Sequence, residues 1–126
     1  MNKVLVIDDS VLVGKVVALY LGRYGWEVES MSSLFGVLAK IREYGPDIIL
    51  LDLKMPGLSG SKLASVIRGH NDLHGFKIIS FSTEDAPVQE ALVKSGLVDA
   101  YFVKSRNLDG LAETIEHVVK TERTAA

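Results

Sequence analysis

Short apolar runs recur along this chain, and their spacing limits the fold more than any other feature. They fall at residues 4–7, around Val28, and at residues 48–51, 78–81 and 98–103. Three of them are rich in Val, Ile and Leu and do not alternate with polar residues. A strand with one wet face alternates. A run without alternation predicts a strand covered on both faces, as in a parallel sheet between helices. The intervening segments carry helical spacing. Leu12, Val16 and Leu19 form one stripe, and Leu34, Leu38 and Ile41 a second. Leu63, Val66 and Ile67 form a third, and Val88, Ala91 and Leu92 a fourth. Leu111, Ile115, Val118 and Val119 form a fifth. Ser10 and Asn107 are expected to cap helix starts, while Gly25, Gly45 and Gly96 follow helix ends. Pro87 falls in the first turn of the fourth helix, where proline is tolerated. Five strands alternating with five helices predict an α/β, doubly wound (βα)5 parallel sheet with helices on both faces.

The 126 residues suit one domain, with a core over about residues 3–120 and a short polar tail over 121–126. With 48% apolar residues the chain can bury a real core. Its net charge of −2 and the lack of a basic stripe argue against a nucleic-acid partner. The absence of cysteine excludes disulfides, thiolate catalysis and Cys-ligated metals. Residues 4–7 are too short for a signal peptide or a membrane span, and Asp8 and Asp9 follow at once. A cytoplasmic protein without membrane insertion is expected.

In open α/β sheets, ligands bind at the carboxyl ends of the strands. Here the first strand ends in Asp8-Asp9, the third in Asp52, the fourth in Ser82-Thr83 and the fifth in Lys104. Taken singly, each is weak. An Asp pair before a helix is usually a cap and a dipole partner, and a lysine after a strand is usually solvated. Together they bring three carboxylates, hydroxyls and an ammonium to one edge. Three neighbouring carboxylates repel one another unless a cation sits among them. A hard divalent ion suits oxygen ligands, and Mg²⁺ fits best because it keeps waters and binds phosphate oxygens. Such a site suits phosphoryl transfer, in which three equatorial oxygens must be neutralised. Mg²⁺, Lys104, and Ser82 with a backbone N–H could each take one. A carboxylate can act as the nucleophile, and Asp52 is the central candidate.

The motifs VLVIDDS, PDIILLDLKMPGLSG, SFST and DAYFVKS resemble the receiver domain of two-component response regulators, over essentially residues 4–120. The spacings from Asp52 to Ser82 and Lys104 are similar to those of its chemotaxis-type members. The resemblance implies a flavodoxin-like fold. It implies that Asp52 accepts a phosphoryl group from a sensor histidine kinase or a histidine phosphotransfer protein. Asp9, Asp52 and the backbone carbonyl of Lys54 would ligate Mg²⁺, with Asp8 acting through water. Ser82 and Tyr101 match the family's switch pair, and Lys104 its phosphate-binding lysine. The switched face would be that of the fourth helix, fifth strand and fifth helix, which binds a downstream protein. Such a domain is a phosphoacceptor that catalyses its own transfer and dephosphorylation, not an enzyme acting on other substrates.

Four positions depart from or tune this pattern. Ser105 stands where the family usually has proline, often after a cis bond, and a cis bond before serine would cost roughly 2.5–4 kcal/mol. Thr83 is larger than the residue common there. Lys54 and Glu84 match variable flanking positions which, the resemblance implies, tune the lifetime of an acyl phosphate, and a Lys54–Glu84 pair could shield it. The remaining residues read more plainly. Tyr101 also fits a half-buried strand aromatic. His70, His74 and His117 read as surface residues and poor phosphohistidine donors. Trp26 reads as packing at the second strand, and Met55 as packing in the turn shaped by Pro56-Gly57. A pseudo-receiver that binds protein without phosphate is the main alternative. A haloacid-dehalogenase-like phosphatase would need Asp-x-Asp and a cap domain. A flavodoxin would need a Ser/Thr/Gly-rich phosphate loop after the first strand.

Overall fold

The computed structural model describes residues 2–105 and 107–121. The expected polar tail lies outside the described residues beyond Thr121. Strand and helix alternate in the order β1 (Lys3–Ile7), α1 (Val11–Gly22), β2 (Glu27–Met31), α2 (Val37–Tyr44), β3 (Ile48–Leu51), α3 (Gly60–Arg68), β4 (Lys77–Ser82), α4 (Ala86–Lys94), β5 (Ala100–Val103) and α5 (Leu111–Lys120). The strands form one parallel sheet ordered β2-β1-β3-β4-β5. The chain moves outward from β1 to β2, then returns to the other side of β1. The winding therefore reverses between β1 and β3, which opens a crevice at their carboxyl ends.

Residues 4–7 and 48–51 have no measurable exposure, because both sheet faces are covered. Leu5, Ile7, Ile49, Leu51 and Ile78 pack with α2, α3 and the inner side of α4. Val4, Val6, Ile48, Leu50, Ile79 and Phe81 pack with α1 and α5. Burying a Val, Leu or Ile side chain contributes roughly 1.5–3 kcal/mol, so these two layers dominate stability. The fifth apolar run starts later than expected. Val98 is buried, but it precedes β5.

Several local expectations hold. Ser10 Oγ accepts from Val13 N at 3.2 Å, capping α1. Pro87 sits in the first turn of α4, and Gly45 closes α2 with φ 63°. Asn107 does not cap α5. That place belongs to Gly110, and Asn107 Oδ1 instead accepts from Asp109 N at 3.0 Å in the preceding turn.

Two helical stripes are also corrected. In α1 the buried residues are Gly14, Val17 and Leu21, while Leu12, Val16 and Leu19 are exposed. The helix is apolar on two sides, and Gly14 decides which side faces inward. A Cβ there would lie 2.6 Å from Ser30 Oγ, so glycine lets α1 press against β2. In α4 Val88 is exposed and the one buried residue is Gln89. No helix among the described residues is long and apolar enough to cross a membrane.

Candidate functional site

The strand ladders run one residue past the hydrophobic runs, and this fixes the polar residues that follow. Asp8 N donates to Met31 O at 3.0 Å, Asp52 N to Ile7 O at 2.9 Å and Lys104 N to Ser82 O at 2.7 Å. The side chains of Asp8, Asp52 and Ser82 then accept from the amide two residues on. Ser10 N donates to Asp8 Oδ1 at 2.9 Å, Lys54 N to Asp52 Oδ1 at 3.0 Å, and Glu84 N to Ser82 Oγ at 3.2 Å. Three strand ends thus finish in the same side-chain-to-amide turn. The helix after Asp52 comes very close, since a Cβ on Gly60 would lie 2.4 Å from Asp52 O.

These turns converge Asp8, Asp9 and Asp52. One carboxylate oxygen from each lies within 4.8 Å of the others. Asp8 and Asp52 are buried, and Asp9 is exposed. Lys104 Nζ lies 2.6 Å from Asp8 Oδ2 and 3.8 Å from Asp52 Oδ2. The ammonium also sits 5.3 Å from the centre of the Phe81 ring. Burial raises the Asp52 pKa from its ordinary value, and Asp8 and Asp9 push it the same way. The Lys54 amide and the Lys104 ammonium oppose that rise.

Among the described residues one ammonium faces the three carboxylates, which leaves negative charge uncompensated there when they are ionised. The site's donors are all hard oxygens. The residues therefore fit a divalent cation of the Mg²⁺ type. A groove of about 480 Å³ opens beside Asp9, between Phe35 on one side and Met55 and Leu58 on the other.

The other predicted residues surround this cluster. Ser82 is fully buried at the end of β4, Thr83 is exposed, and Glu84 is half-buried. Lys54 Nζ lies 3.7 Å from Glu84 Oε1, so the expected pair is formed. Tyr101 is half-buried and pairs in register with Ser80, on the same sheet face as Ser82. The Lys104–Ser105 peptide is trans, and Lys104 reaches the carboxylates with serine in place of proline. Among the histidines, His74 and His117 are exposed. His70 is half-buried, with Nδ1 2.8 Å from Val66 O. Met55 packs into the core and Trp26 against it.

Sequence reasoning missed Gly60 and Gln89. Gly60 follows PGLS without an obvious reason to be glycine until Asp52 is seen above it. Gln89 carried a signal, because Ser80 and Ser82 occupy alternate positions of an otherwise apolar strand. Buried hydroxyls on one sheet face require a polar partner.

The family model of the response regulator receiver domain matches residues 4–116. The protein PilG of Pseudomonas aeruginosa is 29% identical over 114 residues, covering 90% of this chain and 84% of PilG. An uncharacterized 76.5 kDa protein of Thiocystis violacea is 29% identical over 96% of this chain. The autoinducer sensor kinase/phosphatase CqsS of Vibrio cholerae is 28% identical over 90% of it. The chain spans only 18% and 17% of the length of these last two relatives. Among solved structures, the response regulator TrrA of Thermotoga maritima, in complex with Mg²⁺ and BeF, superposes with a TM-score of 0.79. It shares 30% identity, covering 94% of this chain and 99% of TrrA. The chemotaxis protein CheY4 of Vibrio cholerae gives 0.82 at 29% identity, covering 94% of this chain and 98% of CheY4.

Proposed function

The chain belongs to the response regulator receiver domain family, and on that footing we propose that Asp52 accepts a phosphoryl group and thereby switches a partner-binding face. The observation that carries this reading is the meeting of Asp8, Asp9 and Asp52 with Lys104 at one sheet edge. The Mg²⁺–BeF complex of the similar TrrA supports the same chemistry here.

Mg²⁺ would be held by Asp9, Asp52 and the Lys54 carbonyl, with Asp8 acting through water; when bound it neutralises carboxylate and phosphoryl charge. The chain's own groups do the rest. The Lys54 amide on Asp52 Oδ1 fixes the rotation of the carboxylate. An Asp52 oxygen forms a bond to phosphorus as the donor's phosphorus–nitrogen bond breaks, and the imidazole leaves with the electron pair. Lys104 reaches a phosphoryl oxygen by leaving Asp8. Ser82 reaches another by leaving the Glu84 amide. Each of these groups already stands within the cluster, so each exchanges one nearby partner for the phosphoryl group rather than being brought in from solvent.

The donor is a sensor histidine kinase or a histidine phosphotransfer protein. The output is a protein bound on the face of α4, β5 and α5, where Tyr101 turns as Ser82 moves. No direct nucleic-acid contact or membrane insertion is part of the reading. The domain is a phosphoacceptor located in the cytoplasm, and it turns over no substrate other than its own acyl phosphate. Titration with Mg²⁺ and beryllofluoride tests this. Saturable binding in wild type, lost in Asp52→Asn, is expected. A wild type that does not bind points to a pseudo-receiver, and repeated turnover of a phosphoester points to a phosphatase.

A further inference from the structure

Helix α4 is keyed to the sheet by a polar side chain. Gln89 has no measurable exposure and is the one buried residue of α4. Leu92 and Val93, one turn on, pack only partly buried against the core. Asp85 at the helix N-cap makes no side-chain capping bond, so the start of α4 is not fixed there.

The amide of Gln89 uses both its ends. Its Oε1 accepts from Ser80 Oγ at 2.7 Å. Its Nε2 donates to Ser82 O at 3.1 Å and to Glu84 O at 2.8 Å. Ser82 O also accepts from Lys104 N. The residues whose carbonyls Gln89 grips are the two joined by the Ser82 Oγ to Glu84 N–H bond. An apolar contact tolerates sliding at small cost. A dry amide with three directional bonds holds one geometry, and losing any of them leaves a buried polar atom unpaired.

We propose that Gln89 is the positioning residue that couples Ser82 to helix α4. This rests on the reading in which Asp52 takes the phosphoryl group. When Ser82 turns its hydroxyl toward that group, the Glu84 amide is released and the 82–84 segment shifts. Gln89 follows the two carbonyls and takes α4 with it. The linkage is reciprocal, so a partner that holds α4 in its shifted position favours phosphoryl binding.

The test is hydrogen exchange of the α4 amides with and without Mg²⁺ and beryllofluoride, on the full chain. Three proteins are compared: wild type, Ser80→Ala, and Ser80→Ala/Gln89→Met. Methionine matches glutamine in length, and alanine removes the hydroxyl that would be orphaned. In wild type, exchange in α4 changes by about tenfold on binding, the equivalent of one net hydrogen bond. Ser80→Ala keeps the two bonds to the carbonyls and keeps the response. The double variant binds beryllofluoride at the site, yet its α4 response falls below about twofold. A separate variant, Ser80→Ala/Gln89→Leu, also removes the donors and leaves no orphaned hydroxyl. It is also expected to bind without an α4 response. It serves if the methionine double variant does not fold. An α4 response of wild-type size in either donor-less variant overturns the coupling. So does an equal loss in Ser80→Ala, which would mark Gln89 as packing only. Failure of wild type to bind beryllofluoride is a different result, because it overturns the phosphoacceptor reading itself.

Discussion

The Lys104 ammonium is bonded to Asp8 at 2.6 Å and stands off from Asp52 at 3.8 Å. The ammonium that offsets part of the cluster's charge thus sits on the carboxylate expected to hold Mg²⁺ through water, not on the proposed nucleophile. Mg²⁺, if held as proposed, would compete with Lys104 for the same negative charge. On the proposed reading, a bound ion would release the lysine toward the phosphoryl group.

Replacing Lys104 by methionine should have opposite effects on metal binding and on chemistry. Asp8 is buried, and losing its partner leaves an uncompensated charge. The variant should be less stable by about 3 kcal/mol in Mg²⁺-free buffer, and Mg²⁺ should restore part of this. Calorimetry should show tighter Mg²⁺ binding than in wild type. Phosphorylation by a small phosphodonor should slow by about a hundredfold, as when one charge-stabilising group is removed.

Asp52→Asn should stabilise the metal-free protein at neutral pH. Burial raises the Asp52 pKa in the folded state. The folded protein therefore holds that proton more tightly than the unfolded chain. The stability this provides is complete below the unfolded pKa of about 3.9 and is lost as pH rises through the folded value. At pH 7 the ionised carboxylate is a net cost. Asparagine should gain about 1 kcal/mol there, a usual size for relieving a functional group. The gain should shrink as pH falls toward 4, as read by urea melts across pH.

Gly60→Ala should damage the site through the backbone. The added Cβ meets Asp52 O at 2.4 Å and Leu53 Cα at 2.7 Å, and neither can swing aside. Overpacking of this kind costs about 1–3 kcal/mol. Phosphorylation should fall by more than the loss of folded protein explains. Gly22→Ala, with open space around its Cβ, is the control and should change stability by less than about 1 kcal/mol.

Lys54→Ala should separate stability from acyl phosphate lifetime. Its pair with Glu84 is long, and both side chains are at least a third exposed. Such a pair contributes less than about 1 kcal/mol, so the melting curve should barely move. If the pair shields the acyl phosphate, dephosphorylation should accelerate severalfold. An unchanged rate would remove the shielding role of Lys54.

The sheet and the acidic edge were readable in the sequence for the same reason. Strands covered on both faces need unbroken Val, Ile and Leu, and the first polar residue after each run must emerge at the strand end. Asp8, Asp52 and Lys104 are therefore located by where the runs stop. Helix faces were less legible. Helix α1 carries apolar residues on two sides, and a close approach at Gly14 chose Val17 and Leu21 over Leu12, Val16 and Leu19. In α4 the buried position is Gln89, which a search for apolar stripes passes over. Asn107 looked like a cap because its side chain does accept an amide, though in a turn that ends before α5 begins.

The central claim is that Asp52 is the phosphoryl acceptor. Intact-mass analysis after incubation with Mg²⁺ and phosphoramidate tests it most directly. The prediction is one phosphoryl adduct per chain, dependent on Mg²⁺, labile to hydroxylamine and absent from Asp52→Asn. Wild type without the adduct, or Asp52→Asn with an undiminished one, would contradict it.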